Sequence, residues 1–384
     1  MTKFKTTLLA MAVSAAAFSV QAAQVSLYGS VSTGVLYQNQ ASLSGGTGNQ
    51  ESQDSFTMES GFWGDSIWGI TGEEDLGNGW TVGFTLENEF GSDTGEMAGA
   101  DPEGSSVLFD SQAYLRIGND KVNFAFGNIG GLASAGGDFD LLCAFDPMEA
   151  YVGVAGLGAF ASKDFASGNM AVVEVTPMEG FKVSLMGNTG DDDSKAKWSD
   201  RNHYYGLGVS YENGPLALAA IAEMRKYDRI AGWDANADND ASWTFTVAAA
   251  YDFEVVRPSF VYQHASKTHE FAAGDIVMDA YNFDSFMLGA TAPLGQGTLR
   301  ASVQYVKGEN DAVSDEEGSA TILGLAYTYD MSKRTTLYGA AFYSVGGDGL
   351  DKDLGANDKE FNGGLMGRAD YNSVGFGVGL VHTF

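Results

Sequence analysis

Apolar and polar residues alternate along most of the chain after residue 24. In 241–252, one set of alternate positions carries Trp243, Phe245, Val247, Ala249 and Tyr251, and the other carries Ser242, Thr244, Thr246 and Asp252. In 298–306, Leu299, Ala301, Val303 and Tyr305 alternate with Thr298, Arg300, Ser302 and Gln304. Because successive side chains of a β-strand point to opposite faces, this period of two predicts strands with one apolar and one polar face.

The pattern predicts sixteen strands: 24–37, 62–73, 80–90, 108–118, 121–127, 169–176, 181–188, 202–212, 216–227, 241–252, 255–266, 283–292, 298–308, 320–330, 335–345 and 371–384. Short turns rich in Gly, Asp, Asn and Pro follow the even-numbered strands, whereas longer polar connections follow most of the others. One-sided short turns are typical of an up-and-down barrel, and closure of such a barrel needs an even strand number. The predicted fold class is therefore all-β, a sixteen-stranded antiparallel transmembrane β-barrel.

The last predicted strand is long enough to cross a membrane. One face of its final residues carries Val374, Phe376, Val378, Leu380, His382 and Phe384, and the other carries three glycines. Eleven residues at a rise of ~3.3 Å and a tilt of ~45° cross ~25 Å of hydrocarbon. A soluble β-sandwich that ends in an alternating strand is the alternative.

The amino terminus has the pattern of a secretory signal. Lys3 and Lys5 precede an apolar run, Leu8 to Val20, which small residues follow. We predict cleavage after Ala22, so that 1–22 is a signal peptide and 23–384 is the exported barrel. No later apolar stretch approaches the ~18 residues of a membrane helix, so any membrane crossing must use strands.

Composition excludes several partners and kinds of chemistry. The chain has 50 acidic and 21 basic residues, with a net charge of −29, so nucleic acid is a poor partner. Its single cysteine, Cys143, excludes an internal disulfide. We find no nucleophile elbow, phosphate loop or metal-spaced histidines. The acidic stretch 234–240 lacks the glycine and final glutamate of a calcium loop. No enzyme activity, metal or cofactor is therefore expected.

Six segments, spread in order over the chain, resemble the trimeric Gram-negative general porins, most closely the β-proteobacterial branch: Val25–Gly29, Trp68–Gly77, Gln112–Leu115, Ala292–Gly295, Ser332–Thr335 and Val378–Phe384. The resemblance implies a homotrimer in the cell outer membrane, with the third external loop folded into the lumen. It also makes Phe384 the assembly signal that the barrel assembly machinery reads. External acids are expected to contact lipopolysaccharide, with divalent cations as bridges.

The third external loop is predicted at 128–160. It is Gly-rich and fairly apolar, as a loop that packs on an inner wall must be, and an ordinary surface loop is the alternative. Its acids are Asp138, Asp140, Asp146 and Glu149. Asp140 resembles the pore-facing acid of the family, and Asp146 is the nearest replacement for a second family acid expected near Ala144. All four are predicted to lie at the pore constriction.

The resemblance also indicates which family arginines are replaced on the barrel wall opposite the third external loop. Ile67, Ser111 and Asn128 occupy positions at which the family usually has arginine. Lys163 and Arg300 are the candidate cations of the pore wall, whereas the direction of Arg116 is left open by the alternation.

These patterns predict a passive channel for small hydrophilic solutes and ions, and the missing arginines predict that it prefers cations. A substrate-specific channel and a structural or adhesive barrel are the alternatives. The first would need an aromatic or cationic track along the lumen, and the second a loop that plugs it.

Overall fold

The computed structural model describes residues 24–44, 49–97, 107–161, 166–190, 203–226, 241–269, 280–310, 317–346 and 373–384. The predicted signal peptide 1–22, Lys163 and the acidic stretch 234–240 lie outside these ranges. Within them, no helix is long and apolar enough to cross a membrane. Two short 3-10 helices, Cys143–Phe145 and Gly153–Ala155, accompany the strands.

Seventeen strands form one sheet: β1 (Gln24–Ser44), β2 (Asn49–Ser60), β3 (Ile67–Gly77), β4 (Trp80–Glu89), β5 (Gln112–Gly118), β6 (Val122–Gly130), β7 (Ala166–Met178), β8 (Phe181–Asn188), β9 (His203–Asn213), β10 (Leu216–Lys226), β11 (Ser242–Tyr251), β12 (Arg257–His269), β13 (Ala280–Leu294), β14 (Gly297–Asn310), β15 (Glu317–Ser332), β16 (Thr335–Gly346) and β17 (Ser373–Thr383). Sequential neighbours from β3 to β17 pair antiparallel, and β17 pairs with β1. The sheet therefore closes on itself.

Two of these strands share one place in the barrel. β3 pairs with the first part of β1, from Gln24 to Ser30, and β2 pairs with its later part, from Thr33 to Ser44. The barrel thus has sixteen strand positions, as the sequence predicts. The predicted strand 62–73 begins only at Ile67, and β2 lies where no strand is predicted. Residues 61–66 form a break between the two, in which Gly61 and Gly64 have φ of 80° and 81°. Such positive φ values are readily adopted by glycine, and they bend the chain out of the ladder.

The outer surface of the barrel is apolar. Along β11, Trp243, Phe245 and Val247 are exposed, whereas Thr244 and Thr246 between them are buried. The same alternation holds in β14, where exposed Val303 flanks the fully buried Gln304. An outward apolar band with polar residues on the inner face is the pattern of a barrel that crosses lipid.

The carboxyl terminus completes the closure. The amide of Phe384 donates to the carbonyl of Gly29 at 3.0 Å, and the Gly29 amide donates to the Phe384 carbonyl at 3.3 Å. The aromatic ring lies against Gly29, because a Cβ added there would lie 2.7 Å from ring atom Cζ. Phe384 therefore links the last strand to the first.

We predict that deletion of Phe384 lowers the yield of folded barrel. The deletion removes both hydrogen bonds to Gly29, each worth about 0.5–1.5 kcal/mol, and the ring contact at the closing seam. The measurement is the heat-modifiable band on gels after refolding into detergent micelles. Phe384→Tyr, which keeps the ring and the backbone, is the control, and a deletion variant that folds as well as the wild type would contradict the prediction.

Candidate functional site

Segment 131–161 lies against the inner face of the barrel. β6 extends to Gly130, so the segment begins three residues later than the predicted loop 128–160. At its start, the Leu132 amide donates to the Tyr204 hydroxyl at 3.0 Å, and this hydroxyl donates to Glu223 at 2.6 Å. The Ala133 amide also donates to Glu223, at 3.3 Å. A pair of wall side chains therefore holds the first turn of the segment.

The end of the segment is held on the other side by amide side chains. The Ala159 amide donates to Gln304 Oε1 at 3.1 Å, and Gln304 Nε2 donates to the Ala155 carbonyl at 2.6 Å. The Ala161 amide donates to Gln263 Oε1 at 2.7 Å. Because Gln304 alternates with the exposed Val303, these contacts lie on the face opposite the apolar band.

The middle of the segment reaches the break between β2 and β3. The Val152 amide donates to the Phe62 carbonyl at 3.0 Å, and the Tyr151 hydroxyl donates to Asp65 at 2.9 Å. Trp63, from the same break, packs its ring 4.9 Å from the guanidinium carbon of Arg300. The break between β2 and β3 thus provides contacts that hold the middle of the segment.

Glycines on the inner wall make room for these contacts. A Cβ added at Gly289 would meet the Pro147 ring well inside contact distance, and one added at Gly324 would lie 2.8 Å from Ala155 Cβ. Both glycines lie on strands that the segment covers. The wall and the segment are therefore packed as one core.

We predict that Gly289→Ala destabilises the packed segment, because the new methyl group overlaps the stiff Pro147 ring. Overpacking of this kind costs about 1–3 kcal/mol. Thermal unfolding in detergent measures the effect. Gly136→Ala is the matched control, since a Cβ at Gly136 meets nothing within 4 Å. Equal stability of the two variants would contradict the close packing of the wall and the segment.

Two of the four predicted acids hold the backbone of the segment. Asp140 accepts hydrogen bonds from the amides of Ala135 at 2.8 Å, Leu142 at 3.1 Å and Cys143 at 2.7 Å. Desolvation raises the pKa of Asp140 to about 7, although these amide donors oppose the rise and Glu223 adds to it. Asp140 is therefore largely a structural acid that carries only part of a charge near neutral pH.

Asp146 has a similar position. It is 4% exposed and accepts from the amides of Met148 and Ala150, each at 2.9 Å. Glu149 and Ala150 next to it have left-handed φ values of 53° and 66°, which are uncommon for residues other than glycine. Asp146 thus stabilises a strained turn of the segment.

The remaining two acids lie nearer the solvent. Asp138 is exposed and accepts a hydrogen bond from the Tyr114 hydroxyl. Glu149 forms an ion pair with Arg300, whose Nη1 lies 2.7 Å from Glu149 Oε1. Arg300 also donates to the Pro147 carbonyl at 3.0 Å. Of the four acids, Asp138 is therefore the one with a solvent-exposed carboxylate and no described ion pair.

The three substituted wall positions do not all share one face of the barrel. Ile67 is buried at the start of β3, where it pairs with Ser30 and Glu89 on the inner face. Asn128 pairs with Ala113, on the outward face of β5, and donates to the Asp110 carbonyl at 3.1 Å. Asn128 shares its face of β6 with Phe126, which is exposed on the outer surface. An arginine at Asn128 would therefore not face the segment.

Ser111 also lies on the inner side of the barrel, because its hydroxyl donates to Glu87 on β4. It lies in a bend just before β5, so the alternation of that strand does not determine its direction. Arg116 within β5 shares the inner face with Tyr114 and forms an ion pair with Glu73 at 2.5 Å. The bend therefore allows both Ser111 and Arg116 to lie on the inner side.

Besides Glu223 and Asp65, the structure places a further acid on the inner wall that the sequence analysis did not single out. Glu87 on β4 is 7% exposed and accepts from the Tyr28 hydroxyl at 2.9 Å and the Ser111 hydroxyl at 2.5 Å. Gln112 Nε2 lies 3.5 Å from the same carboxylate. The inward direction of Glu87 could have been predicted from the alternation in 80–90, where Phe84 and Leu86 take the outward positions.

Comparison with known proteins is consistent with this geometry. The family model of Gram-negative porins matches residues 6–349. An outer membrane porin protein of Bordetella pertussis is 27% identical, and outer membrane porin protein 32 of Delftia acidovorans is 28% identical; each match covers 99% of this chain and all of the relative.

Solved porin structures have the same fold. The anion-selective porin from Comamonas acidovorans superposes with a TM-score of 0.68 at 23% identity, over 94% of this chain and all of that one. The trimer form of OmpT from Vibrio cholerae has a TM-score of 0.62 at 14% identity, over 94% of this chain and all of that one. The chain belongs to the Gram-negative porin family and is an outer-membrane channel protein rather than an enzyme.

Proposed function

We propose that this porin is a passive diffusion channel for small hydrophilic solutes and ions, and that it prefers cations. The observation that carries this proposal is a pair of acidic residues on one side of the lumen, both in contact with Gln112. Glu87 belongs to the wall and Asp138 to the segment, and their described side-chain partners are neutral hydroxyl and amide groups. These acids leave a net negative charge beside the path of an ion.

Three described cations of the inner face support the same interpretation, whereas Arg257 donates to the Ala144 carbonyl of the segment at 3.0 Å. Arg116 is paired with Glu73 at 2.5 Å, Lys182 with Glu174 at 3.1 Å, and Arg300 with Glu149 at 2.7 Å. Each of these positive charges is therefore offset by an acid on the inner face. At an effective dielectric of about 20, one unpaired charge ~6 Å from an ion is worth roughly 3 kcal/mol before screening.

We propose that the predicted loop 128–160, which the structure describes as segment 131–161, narrows the lumen without sealing it. The described part of the segment packs on the inner wall, yet Asp138, Ala144 and Gly153 are exposed to solvent. A narrowed, water-filled path brings permeating ions close to Asp138 and Glu87. In such a channel, the radius and the lumen charges determine which solutes pass.

Reversal potentials in a potassium chloride gradient across a planar bilayer test this proposal. We expect stable open levels and a reversal potential nearer that of potassium than that of chloride. Anion selectivity, which the name of the Comamonas porin gives for that protein, would overturn the cation preference. Saturable block of the current by one solute would indicate a substrate-specific channel. An absence of channel openings would indicate that the segment plugs the lumen.

The remaining parts of the proposal concern assembly. We propose that residues 1–22 are cleaved, that 23–384 is inserted by the barrel assembly machinery, and that three copies assemble in contact with lipid and lipopolysaccharide. Divalent cations are expected to link its external acids to lipopolysaccharide phosphates. OmpT from Vibrio cholerae has a trimer form, which supports the proposed homotrimer. Light scattering of the folded protein in mild detergent tests the trimer, and a monomeric mass would contradict it.

A further inference from the structure

The hydroxyl groups beside Glu87 all point their hydrogens in one direction. Tyr28 and Ser111 are half-buried on the inner wall, and each donates its hydroxyl hydrogen to a different oxygen of Glu87. Tyr28 on β1, Gly69 on β3 and Glu87 on β4 are in register, so the contact is built into the ladder. We call Tyr28, Ser111 and Glu87 the hydroxyl patch.

This arrangement determines what the hydroxyl patch can offer to a passing solute. A hydroxyl has one hydrogen to donate and two lone pairs that accept. Because Glu87 takes both hydrogens, the oxygens of Tyr28 and Ser111 keep only accepting lone pairs for the lumen. Gln112 offers no donor to the lumen because it is buried; its Nε2 donates to Glu87 and its Oε1 accepts from the Asp138 amide at 3.0 Å.

The same arrangement recurs one step along the wall. Tyr114 donates its hydroxyl hydrogen to Asp138, and its ring packs edge-on against Phe139 with 5.5 Å between centroids. Tyr114 is itself buried, so it contributes to the orientation of Asp138 rather than to the solvent-facing surface. Two carboxylates thus orient the hydroxyl groups on this side of the lumen.

We propose that the hydroxyl patch makes the channel discriminate among cations, favouring ammonium ions that carry N–H groups over quaternary ammonium ions of equal size. Glu87 is the specificity-determining residue, because it orients both acceptors and supplies the charge behind them. An N–H donor gains hydrogen bonds from the patch, whereas a methylated nitrogen gains only the charge attraction. The inference rests on the proposed cation-preferring channel and names the class of solute that it favours.

The test uses diethylammonium and tetramethylammonium, which have the same composition and charge. Reversal potentials with one chloride salt on each side of the bilayer give their permeability ratio. We expect diethylammonium to be preferred by the wild type, and Glu87→Gln to lower the ratio by about threefold, because the loss of the anion releases the hydroxyl hydrogens. The two ions differ in shape, but this difference affects the permeability ratio of the wild type and of the variant alike. The change in the ratio between them therefore reports the hydroxyl patch.

A second variant separates hydrogen bonding from charge. Tyr28→Phe with Ser111→Ala removes both acceptors but keeps Glu87, so the ammonium ratio should fall while the potassium-to-chloride ratio stays within about twofold of the wild type. This variant also keeps the test decisive where Glu87→Gln folds poorly. Glu179→Gln, an exposed turn acid, is the control for a change in charge alone.

Each outcome has a separate meaning. If both variants leave the ammonium ratio unchanged, the inference is overturned, even in a channel that prefers potassium to chloride. If the wild type prefers chloride, the proposed cation preference is overturned instead. Folding of each variant is checked by heat modifiability and by the conductance of the open level.

Discussion

Replacing Ser111 with arginine is expected to shift the channel from cation toward anion preference. Ser111 contacts Glu87 directly, at 2.5 Å between the hydroxyl and carboxylate oxygens, so an arginine there neutralises the wall acid. It also brings back the charge usual for the family at the position beside Gln112. A change of about 1.4 kcal/mol in the relative ion energies would change the permeability ratio tenfold, and the ~3 kcal/mol available before screening exceeds this.

The measurement is the reversal potential in potassium chloride at high salt. At 1 M salt the Debye length is about 3 Å, so distant external acids contribute little and the constriction dominates. Asn128→Arg is the matched control, because it adds the same charge on the outward side, beside the Asp110 carbonyl. If Asn128→Arg shifts selectivity as much as Ser111→Arg, the placement of these two residues is wrong.

Replacing Asp140 with alanine is expected to loosen segment 131–161. The carboxylate accepts hydrogen bonds from three backbone amides of the segment, those of Ala135, Leu142 and Cys143. Leaving each buried donor without a partner costs about 1–3 kcal/mol. We expect a lower unfolding temperature in detergent and a noisier, larger conductance, since a loosened segment occupies the lumen less regularly.

Asp138→Ala is the control, two residues away. Asp138 is exposed and bonded to Tyr114, so its loss should weaken cation preference and leave the unfolding temperature nearly unchanged. If Asp140→Ala changes only selectivity, as Asp138→Ala is expected to do, Asp140 is a pore-facing acid and not a structural one.

The pKa of Asp140 predicts how this effect depends on pH. Desolvation raises the pKa of Asp140 in the folded protein to about 7, above the ~3.9 of an unfolded chain. The folded state therefore binds the proton more tightly, and the stabilisation from the protonated form is full below pH ~4 and is lost as pH rises through about 7. The stability difference between wild type and Asp140→Ala should accordingly be smaller at pH 8 than at pH 5.

The strands were predictable because their pattern is local. A side chain in a barrel faces either lipid or lumen, so the alternation seen in Trp243, Phe245 and Val247 predicts both the strand and its outward face. The sixteen strand positions, the long segment after β6 and the closure by the last strand follow from that periodicity together with the turn residues. The sequence did not predict β2 (Asn49–Ser60), whose residues are mostly polar, or the break at 61–66, where Phe62 and Trp63 continue the apolar pattern.

The roles of the acids were not predictable from their positions in the chain. Asp138, Asp140, Asp146 and Glu149 are equivalent in sequence, yet one meets solvent, two hold backbone amides and one pairs with Arg300. The partners of Asp138 and Glu149 come from strands far away in sequence. Glu87 likewise becomes a wall charge because Tyr28 and Ser111 are brought beside it by the register.

The sequence by itself determined a membrane-crossing barrel of strands, because lipid imposes one repeating constraint on every strand. Its resemblance to the general porins implied an outer-membrane channel with a long loop folded into the lumen. The tertiary structure decided which of the described carboxylates pair with cations, backbone amides or hydroxyls. The effective charge of a carboxylate depends on the amides, hydroxyls and cations within hydrogen-bonding distance, and strand register and segment packing bring those groups together.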